Sequence, residues 1–539
     1  MFYQIFMRSF ADSNRDGIGD LRGVMEHLDY LKGGTTRSLG VDALWLTPTY
    51  PSPLADYGYD ISDYTAVDPA CGDMVDFEEL LEECNRRELK IILDMVPNHT
   101  SSRHPWFRES RSSRENPKRD WYVWRDGRVP GKPPNCWLSV MEGSAWTLDV
   151  NTGQCYYHAF LPEQPDVNCR NPEAHRAMLD ACRFWLNKGV DGFRLDVINY
   201  LHEDGRLRDN PRKPGLRPYE MQKHLYDRCQ PEDHDVIREL RRILDGYPEA
   251  MMVGETYTDD PREAAAYLGD GTDKLHLAFN FDFASTRWSA ARFGGSVRKW
   301  DRLIPEAGWL AYFLSNHDMP RHISRLGRLR HAEARARAAA AMLLTLKGTP
   351  FLYYGEEIGM PSGRIPRKRL RDPVGIRFWP LPVGRDAART PMQWNGGEYA
   401  GFSEVEPWLP VDGSRTVTNV ETQVRDAGSL LSFYRSLIRL RREKPAPQVG
   451  KLVMMSGEEV GILSYIREWG NDRVAVFLNF TLQAFSFGGS SSWLAEGAWR
   501  VLPSTHGGKD AGSFPGDFRL EAYEALVLEA EAPPGETRA

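Results

Sequence analysis

Short apolar runs that end in polar residues recur along the first two thirds of the chain. Amphipathic helical patterns lie between most of them, for example over 76–89, 235–247 and 333–346. An eightfold alternation of strand and helix predicts an α/β protein built as a (β/α)8 TIM barrel. The predicted strands are Phe2–Phe10, Val41–Pro48, Lys90–His99, Gly189–Val197, Ala250–Thr256, Leu275–Phe283, Trp309–Asp318 and Thr349–Glu357.

Two segments interrupt this alternation. Residues 101–168, rich in Pro, Trp and Arg, separate the third strand from its helix, and a Pro/Gly-rich stretch at about 361–425 follows the eighth strand. Connections of this length inside a barrel are usually functional. We therefore expect an inserted subdomain B at 101–168 within a barrel formed by 1–100 and 169–447. Short alternating strands then predict a C-terminal antiparallel β-sandwich domain over 448–539.

Composition narrows the class of protein. The 539 residues carry a net charge of -7 without a basic stripe, which argues against a nucleic-acid partner. The seven cysteines are scattered singly, so we expect neither disulfides nor a zinc site, but a reducing cytoplasm. The N-terminus has no signal-peptide pattern and no apolar run is long enough to span a membrane. We expect a monomer or homodimer without a membrane partner.

Charged residues stand at the ends of four predicted strands, where a barrel builds its active site. On the fourth strand, Arg194 and Asp196 alternate with apolar residues and so share one face. A lone carboxylate at a strand end is commonly a helix cap. Convergent carboxylates repel one another, so a group of them at one site indicates a functional role. The candidates are His99, Arg194, Asp196, Glu255, His317 and Asp318.

Paired carboxylates are the chemistry of glycoside hydrolysis. Asp196 suits the ionised role because Arg194 on the same face favours the charged form. Glu255 follows an apolar strand, and burial there would raise its pKa and keep it protonated. Asp318 can hold sugar hydroxyls, and the two histidines are suited to hydrogen-bond hydroxyls beside it.

Four motifs carry a family resemblance: "DMVPNH", "GFRLDVINY", "VGET" and "SNHD", in this order and spacing. They resemble the four short regions of the α-amylase clan, glycoside hydrolase family 13, in its α-glucosidase and oligo-1,6-glucosidase branch. The resemblance implies Asp196 as nucleophile, Glu255 as acid/base and Asp318 as transition-state stabiliser. It also implies that Arg194, His99 and His317 line the subsite for the terminal sugar, the glycone.

Three further stretches fit the same branch. "ADYGYDISDY" resembles the stretch after the second strand, which implies that Tyr59 stacks on the terminal sugar. Asp56 would bind its hydroxyls and close off the pocket. "QPDVN" and "GRDAARTPMQW" are further branch markers, and the second implies Arg385 as a glycone contact, with Arg389 close by.

The loop "DSNRDGIGD" has the residue types and spacing of ligands for a hard cation. Its candidates are Asp12, Asn14, Asp16, Asp20 and the carbonyl of Ile18. A calcium-sensor loop needs Glu at its twelfth position, where this chain has Gly23, and a strand precedes the loop where a sensor has a helix. The resemblance implies a structural Ca²⁺ or Mg²⁺ instead, and no organic cofactor. The alternative is a loop of Asx turns without a metal.

The resemblance implies an exo-acting, retaining α-glucosidase on short α-1,4- or α-1,6-linked gluco-oligosaccharides of the maltose, isomaltose and sucrose type. One alternative is a transferase or isomerase of the trehalose synthase or sucrose isomerase type, although the "RLDR"-type stretch of sucrose isomerases is not found. Another is a non-enzymatic relative that partners a transporter, but such proteins lack the triad and carry a membrane span. Val197 directly follows the nucleophile, and Val at this place goes with α-1,6 acceptance in the branch.

Overall fold

Eight parallel strands close into a barrel in the computed structural model, which describes residues 1–327, 331–455, 457–487, 499–501, 505 and 518–530. The first strand pairs with both the second and the eighth, which completes the ring. The predicted (β/α)8 barrel is therefore confirmed. The barrel strands, numbered 1 to 8 below, are Phe2–Ile5, Ala43–Leu46, Lys90–Met95, Gly192–Leu195, Met251–Gly254, Leu277–Phe279, Trp309–Phe313 and Thr349–Tyr353.

Alternate residues of each strand fill the inside of the barrel. Trp45, Phe279, Phe313 and Phe351 pack there as one buried cluster. Intervening residues such as Leu44 belong to the larger core shared with the helices. This division follows from the period of two along a strand and makes the barrel interior a packed core. Polar side chains are thereby left to the strand ends.

Helices surround the barrel, and their ends follow local sequence signals. Asp73 and Asp76 form a reciprocal capping box at the start of one helix. Asn171 caps the helix that precedes strand 4, and Gly189 ends it with φ of +100°. The α-helices are Leu21–Glu26, Leu28–Lys32, Met74–Arg86, Pro105–Ser112, Pro172–Lys188, Asp233–Leu244, Pro261–Ala266, Phe281–Ala284, Ala290–Leu303, His322–Leu326, Ala332–Thr345, Pro373–Arg377, Val420–Val424, Leu430–Glu443 and Pro445–Val449.

Three long connections rise from the strand ends. Residues 101–168 hold one helix and a three-stranded antiparallel sheet of Trp124–Arg125, Trp146–Asp149 and Gln154–Tyr157. Residues 361–425 hold only short helices. The third connection joins strand 4 to the helix that begins at Asp233, and sequence analysis marks no insertion there. These connections supply the upper walls of the site.

All eight strands are shorter than their apolar runs predict, and strands 1 and 6 show why. Strand 1 ends at Ile5, and a 3₁₀ turn at Met7–Ser9 follows. Strand 6 ends at Phe279 because Asn280 accepts a hydrogen bond from the backbone N–H of Phe283 and starts a helix. In both places the apolar pattern continues into a helical turn, where it packs the core without a ladder partner.

In the C-terminal region, every strand that the structure describes pairs antiparallel. A five-stranded sheet has the order Lys451–Met454, Ile462–Trp469, Asp472–Asn479, Ala525–Ala530 and Trp499–Val501. A two-stranded sheet of Phe485–Phe487 and Phe518–Leu520 packs on it through a shared apolar cluster. The remainder of the predicted domain at 448–539 lies outside the described residues. Within the described ranges, no helix combines the length and apolar character that a membrane crossing needs.

Candidate active site

Charged side chains meet at the carboxyl end of the barrel, as the strand pattern predicts. Asp94 lies near the end of strand 3, and Arg194 and Asp196 lie at the end of strand 4. Glu255 follows strand 5, and Asp318 follows strand 7. The structure therefore brings together residues that are far apart in sequence.

A single guanidinium holds three of these carboxyls. Arg194 is fully buried, and its Nη1 donates to Oδ1 of both Asp94 and Asp196 at 2.5 Å. Its Nη2 donates to Oε2 of Glu255. Buried charges remain stable only when they are paired and hydrogen-bonded. The arginine predicted to line the glycone subsite thus also joins the carboxyls of strands 3, 4 and 5.

Asp196 and Glu255 lie together, and each shifts the pKa of the other. Burial raises the pKa of Glu255 against the opposing charge of Arg194, and the negative charges of Asp196 and Asp318 raise it further. Burial also raises the pKa of Asp196, which Arg194 opposes and a hydrogen bond from Glu255 lowers. Because that bond favours the proton on Glu255, we expect Asp196 to lose its proton first and Glu255 to keep its proton to a higher pH.

Asp318 stays ionised. Burial alone would raise its pKa, but His317, Arg389 and Arg385 together lower it well below the usual value. Its carboxylate lies 2.9 Å from Nε2 of His317 and 2.8 Å from Nη2 of Arg389. The Gln4 amide donates to Nδ1 of His317 at 2.7 Å, which leaves the ring proton on Nε2 facing Asp318.

Ion pairs and ring contacts close the inner end of the cavity. Arg385 bonds Asp56 and donates from Nε to Asp372 at 2.7 Å. The ring of Tyr59 is stacked on His317, with centroids 5.3 Å apart and planes 3° apart. The Tyr59 hydroxyl donates to Asp94 at 3.1 Å. The predicted glycone residues therefore form one bonded wall.

His99 completes this wall. Its Nε2 lies 2.9 Å from the Gln164 amide, which belongs to the "QPDVN" stretch. Burial lowers the pKa of His99 to about 3 and that of His317 to about 4, so both rings are neutral at neutral pH. Neutral imidazoles can donate and accept hydrogen bonds, which suits contact with sugar hydroxyls.

The cavity above the carboxyls has a volume of about 320 Å³. That lies at the lower end of the range for small-molecule sites, about 300–1,000 Å³. Its lining consists of Asp56, Tyr59, His99, Val140, Met141, Phe160, Gln164, Asp196, Val197, Tyr200, Arg217, Glu255, Tyr257, Asp318, Val374, Val383 and Arg385. Every predicted substrate-binding residue except Arg194 and His317 lines it directly, and those two bond residues that do.

Comparison with known proteins identifies the family. Residues 4–450 match the model described as the catalytic domain of alpha-amylase. The chain is a glycoside hydrolase of the α-amylase family. The resemblance stated from four motifs is thereby confirmed for this hydrolase.

Similar proteins cover almost the whole hydrolase. It is 42% identical over 499 residues to a probable alpha-glucosidase of Rhizobium meliloti (strain 1021), covering 90% of this chain and 89% of that protein. It is 39% identical over 509 residues to an oligo-1,6-glucosidase of Parageobacillus thermoglucosidasius, covering 89% of each. The crystal structure of an alpha-glucosyl transfer enzyme, XgtA, superposes with a TM-score of 0.91 at 40% identity, covering 98% of both chains.

Among the contributors to the hydrolase site that do not follow from strand-end patterns, four carry polar side chains of interest. Arg389 bonds Asp318, Asp372 holds Arg385, and Arg217 and Tyr257 line the cavity. Sequence position could identify Tyr257, because it lies two residues after Glu255 at the end of strand 5. The other three lie in the long connections, whose course over the barrel no periodicity reports.

The backbone at Val197 departs from the strand pattern. Its φ of 39° and ψ of 45° place it in the left-handed region, which a β-branched residue rarely adopts. Alternation along the strand predicts a side chain that points away from Asp196. Since the strand has already ended at Leu195, that alternation no longer applies, and Val197 lines the cavity.

The loop predicted to hold a cation has a network of backbone hydrogen bonds. Asp12 accepts from the N–H groups of Arg15 and Gly17 at 2.8 Å, and Asp16 accepts from Ile18 at 2.8 Å. Asp20 accepts from Gly23 and caps the helix that follows. In the part of the chain that the structure describes, no group of three or more His, Cys, Asp or Glu side chains is arranged to hold a metal ion. This geometry fits the Asx-turn alternative, and the cation stays a prediction.

Proposed function

We propose that this hydrolase is an exo-acting, retaining α-glucosidase that releases glucose from the non-reducing end of short α-1,4- or α-1,6-linked gluco-oligosaccharides. The observation that carries the proposal is the bonded inner wall, in which Arg385 joins Asp56 directly beside the three carboxyls. We infer that this wall leaves room for one sugar beyond the scissile bond, so that only a chain end is cleaved. The names of the relatives, an alpha-glucosidase and an oligo-1,6-glucosidase, agree with it.

The roles follow from the protonation of the pair. In the first step Asp196 attacks the anomeric carbon of the terminal glucose while Glu255 transfers its proton to the departing glycosidic oxygen. A glucosyl ester on Asp196 forms, and the bond to the leaving sugar breaks. In the second step Glu255, now a carboxylate, takes a proton from water, whose oxygen displaces Asp196. Two inversions give net retention.

Three features support this assignment. Retaining enzymes hold their two carboxyls about 5–5.5 Å apart, whereas inverting enzymes need about 6.5–9.5 Å to admit a water molecule. Here one guanidinium contacts both Asp196 and Glu255, and the two share a hydrogen bond, which favours the short separation. Ionised Asp318 adds negative charge where the oxocarbenium-like transition state develops positive charge.

A second candidate is glucosyl transfer, in which a sugar or alcohol replaces water in the second step. The similarity to an alpha-glucosyl transfer enzyme favours it. Both reactions use the same first step, so the catalytic residues do not distinguish them. Product analysis on maltose does: glucose alone supports hydrolysis, whereas trehalose or other new linkages as main products would replace our proposal by transfer.

We further propose a structural Ca²⁺ or Mg²⁺ at the loop formed by residues 12–20, supported by its ligand types and spacing. A cation that binds only the folded protein raises Tm with its concentration. Melting the wild type and Asp16→Ala with EDTA or with CaCl₂ tests the site. A calcium-dependent Tm that is lost in Asp16→Ala supports it, and equal Tm values under all conditions reject it.

We also propose that the enzyme works in a reducing compartment such as the cytoplasm. All seven cysteines are unpaired, and four of them are buried. Buried thiols need no oxidising environment to keep the fold, whereas exported proteins commonly depend on disulfides. An unchanged Tm in excess dithiothreitol is expected, and a drop would contradict the assignment.

A further inference from the structure

The cavity has two chemically different halves. The inner half holds the charged residues described above. The outer half is formed by the three long connections together with Tyr257, and its walls are mostly apolar: Val140, Met141, Phe160, Val197, Tyr200, Tyr257, Val374 and Val383. Among the residues that the structure describes, Arg217 is the one charged side chain that lines this outer half. A leaving sugar, the aglycone, must occupy this half when glucose occupies the inner one.

Arg217 has donors to spare. Its Nε donates to Oε1 of Glu220 at 2.9 Å. Within the described residues, neither of its terminal NH₂ groups makes a hydrogen bond to protein. Guanidinium groups carry five N–H donors in a rigid fork that matches pairs of oxygen atoms. Four donors therefore remain available at the wall of the cavity.

A buried carboxylate stands behind this guanidinium. The Glu142 side chain is 2% exposed, and neither of its oxygens has a hydrogen-bond partner in the described part of the chain. Its Oε1 lies 3.9 Å from Nε of Arg217, and its carbonyl accepts from Arg377 at 3.0 Å. Glu142 has a φ of +73°, a backbone conformation that residues other than glycine seldom adopt. The buried carboxylate of Glu142 attracts the Arg217 guanidinium and restricts the positions that it can take.

The backbone beside Arg217 is also anchored. Tyr219 is buried, and its hydroxyl lies 2.7 Å from the hydroxyl of Tyr200, which lines the cavity. Arg228 donates to the same Tyr200 hydroxyl at 3.3 Å. This chain of bonds fixes the connection that carries Arg217 to the cavity wall, although that connection forms little regular structure.

The charges around Arg217 decide what it can recognise. Glu142 and Glu220 place two negative charges beside one positive charge, so an anionic aglycone is disfavoured there. An aglycone with neutral oxygen acceptors does not meet this repulsion. Adjacent hydroxyls of a sugar ring present the paired acceptors that the fork requires, and an aryl or alkyl group presents none.

We propose that Arg217 determines aglycone specificity by donating hydrogen bonds to neighbouring hydroxyls of a sugar aglycone, with Glu142 as its positioning residue. This inference rests on the proposed α-glucosidase function and names its substrate class. Glucosides of sugars are preferred over glucosides of aryl or alkyl alcohols, which fit the apolar walls but leave the guanidinium without acceptors.

The test compares two substrates with one glycone and different aglycones. For Arg217→Met we expect kcat/KM on isomaltose to fall roughly 10- to 100-fold, the loss expected for charge-assisted hydrogen bonds. The fall should appear as a rise in KM, while kcat/KM on phenyl α-glucoside stays within about threefold, since an unsubstituted phenyl ring has no acceptor for such a bond. For Arg217→Lys, kcat/KM on isomaltose should lie between the values for the wild type and Arg217→Met, because one ammonium group replaces the guanidinium fork. Exposed Arg206 lies on the same connection, and Arg206→Met is the matched control.

Glu142→Gln separates positioning from folding. We expect a smaller rise in KM for isomaltose than in Arg217→Met and no change for the aryl glucoside, whereas a purely structural role would impair both substrates. Equal losses on both substrates in Arg217→Met, or no loss on either, would overturn the inference. A wild type inactive on both substrates would instead defeat the proposed function.

Discussion

The inner and outer halves of one cavity are built by opposite rules. In the inner half, Arg194 and Arg385 each bond carboxyls from several elements, and the side chains hold one another in place. In the outer half, loops supply apolar walls and Arg217 keeps unused donors. The difference teaches that reaction chemistry belongs to strand ends, whereas substrate choice belongs to the connections above them.

Energetics reinforce this contrast. Removing one partner of a buried ion pair typically costs about 3–5 kcal/mol, because the other charge is left uncompensated. Apolar walls at a cavity mouth carry no such penalty, so they tolerate substitution. We therefore expect inner-half variants to lose activity on every substrate and outer-half variants to change the ranking of substrates.

The largest effect should follow the loss of the proposed nucleophile. Asp196→Ala should lower kcat on isomaltose and on the aryl glucoside about 10⁴-fold or more, as for other residues that act as a catalytic unit. Steady-state kinetics and a melting curve check it, with exposed Asp180→Ala on a barrel helix as control. Activity within tenfold of wild type on either substrate would remove Asp196 from its role.

Arg385→Met should produce the next largest loss. It leaves Asp56 and Asp372 without their common partner and opens the inner wall. We expect kcat/KM to fall roughly 100-fold or more on both substrates, with a lower Tm, on the scale of a broken buried pair. A loss confined to isomaltose would place Arg385 in the outer half and break the comparison.

The pH profile reports the inner half alone. The raised pKa of Glu255 keeps its proton to a higher pH than an ordinary glutamate, near 4.3, so the acid form persists toward neutrality. Since the first step needs that proton, kcat/KM should fall about tenfold per pH unit only above the raised pKa. Arg217→Met should leave this limb unmoved. A basic limb at pH 4–5, or one that shifts in Arg217→Met, would contradict the account.

The smallest effect concerns linkage choice. We expect Val197 to narrow the path of an α-1,4-linked aglycone, whereas an α-1,6 link has an extra rotatable bond to bend around it. Because a methylene-sized change in a pocket is worth about 1–3 kcal/mol, Val197→Ala should shift the isomaltose-to-maltose ratio of kcat/KM about tenfold toward maltose. An unchanged ratio, or a wild type inert on isomaltose, would assign linkage choice to the long connections.

The sequence predicts the strand-end carboxyls of the inner half well for a physical reason. Strand ends in a barrel converge whatever the loops do, so polar residues after apolar runs identify the carboxyls, and the motifs add their roles. The barrel follows from a period of two and a simple topology, and so does the meeting of Arg194 with the carboxyls that it bonds.

The outer half could not be predicted in the same way. The partnership of Arg217 with Glu142 joins residues 75 positions apart in two irregular connections, and no periodicity records such a contact. The left-handed backbone of Val197 likewise depends on where strand 4 stops. Loop conformation is set by tertiary contacts rather than by local pattern, so only the structure displays it.

The most direct test of the central claim is the anomer released first. Proton NMR during hydrolysis of p-nitrophenyl α-glucoside separates α- from β-glucose before mutarotation mixes them. Double displacement by Asp196 and Glu255 predicts α-glucose as the first-formed product. Initial β-glucose would require a single displacement by water and would contradict both the assigned roles and the short carboxyl separation on which they rest.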